Sequence, residues 1–277
     1  MVPTVITTAE ELAPYHESSF VPTMGALHAG HFALIEAAVA TELPVIVSIF
    51  VNPTQFGPDE DLDRYPRTLE QDVMSAGRYG ADVIFAPDVE SVYPTDDAID
   101  VPSLPDVATQ PRLEEKVRPG HFEGVLQVVA RLFDLVRPRY AIFGEKDYQQ
   151  LLSIAAMVDE AYESGRWGEL DILGHPTERD LDGLALSSRN QYLNAHQRAR
   201  ALGLNRALKA AINTTSPDEG ESQMKKILRA HDVRPDYAVI RHAETLMPID
   251  SLDEPARALI AARVDDVRLI DNGPVRE

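Results

Sequence analysis

The residues best suited to chemistry lie in four separated segments of a 277-residue chain. The first is Pro22-Thr23-Met24-Gly25-Ala26-Leu27-His28-Ala29-Gly30-His31. Two imidazoles three residues apart, with Gly30 between them, follow a predicted strand and open a predicted helix. Such a turn offers backbone N–H groups and the positive end of a helix dipole to an anion, so phosphate binding is expected there. Taken alone the pair also fits simple helix capping, and zinc is disfavoured because no third ligand stands at a suitable spacing. The second segment, Asn52-Pro53-Thr54-Gln55, ends a predicted strand and carries two neutral amides suited to a small hydroxy acid. The third, Gly144-Glu145-Lys146-Asp147-Tyr148-Gln149-Gln150, supplies an ammonium for a leaving pyrophosphate and a further amide at Gln150. The fourth, Asp182-Gly183-Leu184-Ala185-Leu186-Ser187-Ser188-Arg189, adds hydroxyls and a guanidinium for phosphate oxygens, with Gly183 loosening the backbone. Each has a bland reading as a turn, a charge run or a helix cap. Together they point to one anion- and polyol-binding cleft.

Strand ends must bring these segments together. Residues 19–22, 45–51, 82–86 and 140–143 are short β-branched or aromatic runs that read as strands, and 45–51 reads as buried on both faces. Helical periods cover 31–40, 69–79 and 122–136. Strands alternating with helices predict an α/β fold with a doubly wound parallel sheet. Thr8 with Glu11 fits a capping box over a short first helix. After about residue 182 the texture changes. Residues 195–212 read as one Ala/Leu/Arg helix, Ser216-Pro217 as the start of another, and 258–264 with 267–270 as a small antiparallel pair. The expected division is a first domain over 1–176 and a smaller α+β lid domain over 177–277, joined in the polar stretch 174–184.

Composition narrows the function. Lys and Arg total 26 against 45 Asp and Glu, a formal charge of −19 that repels nucleic-acid phosphates and anionic membrane surfaces. With no cysteine, disulfides, thiolate nucleophiles, Cys-ligated zinc and iron–sulfur clusters are excluded. Met1-Val2-Pro3-Thr4-Val5 lacks the shape of a secretory signal, and no apolar run reaches membrane-spanning length, so a cytoplasmic protein is expected.

Six blocks, at residues 22–31, 48–55, 61–68, 118–125, 143–151 and 182–193, resemble in order the motifs of the pantoate–β-alanine ligase family, a branch of the nucleotidylyltransferase group. The resemblance implies a Rossmann-like nucleotidylyltransferase fold and an ATP- and Mg²⁺-dependent ligation through pantoyl adenylate, by a homodimer. Carried over by position, it assigns Met24, Gly25, Ala26, Leu27, His28, Ala29, Gly30, His31, Gly144, Glu145, Lys146, Asp147, Leu186, Ser187, Ser188 and Arg189 to the ATP site. His28, His31 and Lys146 become the catalytic residues, with His31 as acid toward the leaving group. Gln55 and Gln150, with Asn52, Tyr65 and Arg118, become contacts for pantoate and β-alanine, and Asp72 a metal ligand. Three positions depart from the family pattern: Ala29 replaces an acid, and Gln127 and Arg131 stand where Thr and Lys are usual. The segment between Thr8 and Phe20 is also short. Two other readings remain: a nucleotidyl transferase that stops after adenylating a phosphorylated acceptor, and a non-catalytic nucleotide- or tRNA-binding relative. The neutral amides count against the first, and the acidic surface against the second.

Overall fold

A computed structural model of the protein describes residues 2–57, 62–95 and 99–276. Met1 and Asp61, the first residues of the chain and of one family-like block, lie outside them. Strands β1 (Thr4–Ile6), β2 (Ser19–Thr23), β3 (Val45–Ile49), β4 (Val83–Phe85), β5 (Tyr140–Gly144) and β6 (Asp171–His175) form a parallel sheet in the order β1-β4-β3-β2-β5-β6. Strands β7 (Arg234–His242), β8 (Ala256–Val264) and β9 (Val267–Arg276) form a separate antiparallel sheet.

Alternation along the strands explains why the parallel sheet is covered twice. Phe20, Ile46, Val83, Phe85, Ala141 and Phe143 pack on one face against helices His121–Val136 and Tyr148–Tyr162. Their neighbours Val21, Val45, Val47, Ile84 and Ile142 pack on the other, against Ala29–Val39 and Leu69–Arg78. A strand with both sets of side chains buried reads as a continuous apolar run, which is how β3 was recognisable.

From β2 the chain winds outward through β3 and β4, then returns to β5 on the opposite side of β2. The reversal between β2 and β5 is the topological switch point, where open α/β sheets bind ligands at the carboxyl ends of their strands. These two strands pair only at Ser19 with Tyr140 and Phe20 with Ala141. Beyond those pairs they separate, and a crevice opens.

A third core, starting at Leu184, gathers the second sheet and helices Gly203–Ala211 and Pro217–Ala230. The opposite face of that sheet docks on the first. Val239 and Leu259 meet Leu113, and Glu114 accepts from Arg268 at 2.7 and 2.9 Å and from the Tyr237 hydroxyl at 2.7 Å.

Four local expectations change. The predicted helix over 195–212 breaks at Leu202 into Ala195–Ala201 and Gly203–Ala211. Its first part is tethered by Arg198 to Asp180 and Asp182 and by Arg200 to Asp265, whereas its second buries Leu204, Ala207 and Leu208 in the core. The C-terminal sheet has three strands rather than two, and β6 lies where a polar linker was expected to begin. The capping box is half made. Glu11 accepts from the Thr7 and Thr8 amides, but the helix that follows, Glu10–Tyr15, is a six-residue 3₁₀ segment whose N-cap is Ala9.

Candidate active site

The crevice is a cleft of about 240 Å³ walled by the ends of β2, β3, β5 and β6, helix His121–Val136 and the segment at Leu186-Ser187-Ser188-Arg189. A second cavity of about 490 Å³ adjoins it and shares Arg118, Lys146, Asp147, Ser187 and Arg189.

After β2, the chain turns through Gly25 (φ +82°), a left-handed conformation that glycine adopts without strain, and Ala26 (φ 51°). Three amides of this turn are engaged within the fold. Gly25 N–H donates to Thr23 Oγ1 at 3.1 Å, and Ala26 and Leu27 N–H donate to the two oxygens of Asp72 at 2.9 and 2.8 Å. Asp72 is 2% exposed and also accepts from Thr68 Oγ1 at 3.0 Å. Both of its oxygens are engaged inside the turn, where they hold these amides. Gly25, Ala26 and Leu27 therefore shape the site from behind its wall. Ala29 is exposed and also off the wall.

His28 caps helix Ala29–Val39 by accepting the Gly30 N–H on Nδ1 at 3.2 Å, and His31 Nδ1 accepts the His28 N–H at 3.3 Å. An imidazole nitrogen that accepts is unprotonated, so each neutral ring carries its hydrogen on Nε2. The two rings lie 4.1 Å apart by centroid, and both line the cleft. Burial, reinforced by the Lys146 ammonium and opposed by Asp147, pushes His28 down to about 4. Burial, then His28 and Lys146, push His31 down to about 3. Burial thus favours the neutral form of both rings, each with its hydrogen on Nε2.

Across the crevice, β5 ends in the 3₁₀ turn Glu145–Asp147. Lys146 Nζ lies 3.0 Å from Asp147 Oδ2. Burial raises the Asp147 carboxyl, but the Lys146 charge and hydrogen bond, with Arg189 and His121, hold it below the usual carboxylate range. Glu145 is off the cleft wall, and its carboxylate pairs with Arg257 at 2.7 Å. At the end of β3, Gln55 Nε2 contacts Met24 Sδ at 3.2 Å, and its Oε1 accepts from Asn52 Nδ2 at 3.2 Å. Asn52 is 1% exposed and further bonded to Gly124 O, Thr54 and the Tyr93 hydroxyl, and so orients Gln55. Gly124 makes this approach possible: a Cβ there would sit 2.3 Å from the Thr54 carbonyl oxygen. Gln150 lines the cleft and Arg118 Nη1 lies 2.8 Å from His121 Nε2. His121 Nδ1 faces the Gln55 carbonyl at 3.2 Å, which makes Nδ1 its protonated nitrogen and Nε2 the acceptor from Arg118.

A sequence profile of the family described as "Pantoate-beta-alanine ligase" matches residues 4–274. The chain belongs to the pantoate–β-alanine ligase family. It is 45% identical to a pantothenate synthetase of a Nocardioides species over 99% of this chain and 85% of that protein. A crystal structure of pantothenate synthetase from Thermus thermophilus superposes with a TM-score of 0.91 at 45% identity, covering 99% of this chain and all of that one. A pantoate–β-alanine ligase from Francisella tularensis, solved with a β,γ-ATP compound and β-alanine, superposes at 0.78 with 31% identity over 99% of this chain and 98% of that one.

For a ligase of this family the cleft gathers most of the residues that the sequence nominated: Met24, His28, Gly30, His31, Asn52, Gln55, Tyr65, Arg118, Gly144, Lys146, Asp147, Gln150, Leu186, Ser187, Ser188 and Arg189 all line it. Sequence reasoning missed His121, although it lies inside the Arg118-containing block, and the end of β6 at His175-Pro176-Thr177-Glu178. Thr177 Oγ1 is buried without a hydrogen-bond partner among the described residues and so keeps a hydroxyl for a ligand. An apolar wall of Val125, Val128, Val129 and Leu132 was likewise read only as helix core.

Proposed function

We propose that the protein joins pantoate to β-alanine in two steps within this cleft. A pantoate carboxylate oxygen attacks the α-phosphorus of ATP, the bond to the bridging α–β oxygen breaks, and pyrophosphate leaves. The β-alanine nitrogen then attacks the acyl carbon of pantoyl adenylate, the C–O bond to AMP breaks, and the nitrogen sheds a proton to water. Positioning and charge stabilisation carry such chemistry; no protein nucleophile is needed, which suits a chain without cysteine.

His28 and His31 serve as Nε2–H donors to phosphate oxygens, and Lys146 neutralises the departing pyrophosphate. Because burial favours the neutral ring, His31 acts first as a hydrogen-bond donor to the phosphates. Ser187, Ser188 and Arg189 close over the phosphates, while Gln55 and Gln150 hold pantoate beside the apolar wall of Val125 and Val128. The carrying observation is convergence: the imidazole pair, the ammonium and two amides from three strand ends meet in one cleft.

The resemblance also implies Mg²⁺. Among the described residues no group of three or more His, Asp or Glu side chains is arranged to hold an ion, and Asp72 is engaged elsewhere. No step above is routed through Mg²⁺. A chain division at 176/177 is supported by cores that end at Leu170 and resume at Leu184. A cytoplasmic homodimer completes the reading; among the described residues no helix is long and apolar enough to cross a membrane.

Incubation of the purified protein with ATP, pantoate and β-alanine tests the proposal: AMP, pyrophosphate and pantothenate should form in equal amounts. Formation of ADP and phosphate, or turnover indifferent to pantoate, would overturn it.

A further inference from the structure

The Lys146 turn is held from outside its own domain. Asn272, on β9, is 4% exposed and donates both hydrogens of its side-chain amide, to the Glu145 carbonyl at 2.9 Å and the Lys146 carbonyl at 2.9 Å. Its Oδ1 is fixed by Arg257 Nε at 2.7 Å. Arg257, on β8 and 8% exposed, is itself fixed three ways: to Asn272, to the Glu145 carboxylate at 2.7 Å, and by stacking 3.6 Å above the Tyr148 ring. A buried amide whose three polar contacts are all engaged has one orientation, and it clamps two successive carbonyls on either side of the Lys146 α-carbon.

We infer that Asn272 is a positioning residue for adenylation: the second sheet sets the height of the Lys146 ammonium in the cleft through the carbonyls of residues 145 and 146. The inference rests on the phosphate role of Lys146 proposed above. It goes further in making the C-terminal sheet part of the catalytic machinery, although none of its strands contributes a wall to the main cleft.

Two variants isolate the clamp. Asn272→Asp keeps the acceptor for Arg257 and loses both donors; Asn272→Ser loses them without adding charge. Pantoate-dependent exchange of pyrophosphate into ATP reports the first step, and conversion of supplied pantoyl adenylate with β-alanine reports the second. Both variants should lower exchange about tenfold or more and leave the second step within about twofold. In a Lys146→Ala background the same substitutions should change the residual exchange by less than about twofold, because residues acting through one another are not additive. Exchange retained in both variants while Lys146→Ala abolishes it would overturn the inference and spare the role of Lys146. An equal fall in both steps would reduce Asn272 to a structural residue and overturn it as well. Exchange retained in Lys146→Ala would remove the proposed role of Lys146, and this inference with it.

Discussion

The two turns that face each other across the switch point occupy equivalent places, each at the carboxyl end of a central parallel strand, yet they are held in opposite ways. The turn after β2 is satisfied from within the first domain. Asp72, Thr23 and the two imidazole Nδ1 atoms take up five of its amides, and the neutral rings keep their hydrogens on Nε2. The turn after β5 is held by Arg257 and Asn272 of the second sheet, and it presents a charge rather than neutral donors. A strand end at a switch point is therefore a place for function whose chemistry is decided by what engages its backbone. The neutral side is rigidly capped; the charged side depends on docking between two sheets.

The largest effect expected on this comparison is at the charged turn. Lys146→Ala should slow pantoate adenylation by roughly a hundredfold or more, about 3 kcal/mol, as for loss of a donor aimed at developing charge. A single-turnover assay of pyrophosphate release measures it, and a change below about threefold would place the charge stabilisation elsewhere.

At the neutral turn the loss should appear first in stability. Asp72→Ala leaves two buried amides and a threonine hydroxyl without their acceptor and should cost about 3 kcal/mol. Thermal unfolding should show a lower Tm, with the response of turnover to added Mg²⁺ unchanged. An altered response to Mg²⁺ at an unchanged Tm would give Asp72 a metal-binding role.

A smaller effect is expected between the turns. Gln150→Ala should raise KM for pantoate about tenfold, the loss of one or two hydrogen bonds, with little change in KM for ATP. Steady-state kinetics with each substrate varied in turn would show it, and an effect confined to ATP would move pantoate away from Gln150.

A further effect is in pH dependence. The folded values near 4 for His28 and 3 for His31 lie below the ordinary 6.5, so the unfolded chain binds more protons between those limits. Stability should therefore be full above about pH 7 and fall as the pH drops from 6.5 toward 4. His31→Asn should flatten that fall, as read by Tm across the range. A slope identical to that of the parent would mean that the ring is not held neutral by burial.

Much of the first domain was legible because its strands are buried on both faces, and β3 and β5 announce themselves as unbroken apolar runs. The histidine pair was legible for a different reason: it is local, with both rings bonded to amides at most three residues away. The unread features are long-range or edge features. Strand β6 carries Asp171, Gly174 and exposed positions at the sheet edge, so it looked like a linker, and the His175 and Thr177 that follow it went unnoticed. Asp72 engages amides 45 and 46 residues away, and Asn272 engages carbonyls 126 and 127 residues away. Neither contact has a sequence period. The protein partners of that turn and of Glu145 therefore could not be read from the motifs that contain them.

The whole account turns on an acyl adenylate formed from pantoate in this cleft. Turnover of pantoate carrying ¹⁸O in both carboxylate oxygens, with ATP and β-alanine, tests that most directly by mass analysis of the AMP. One ¹⁸O atom should appear in each AMP released, with the other retained in the pantothenate. AMP free of label, or label recovered in inorganic phosphate, would contradict it.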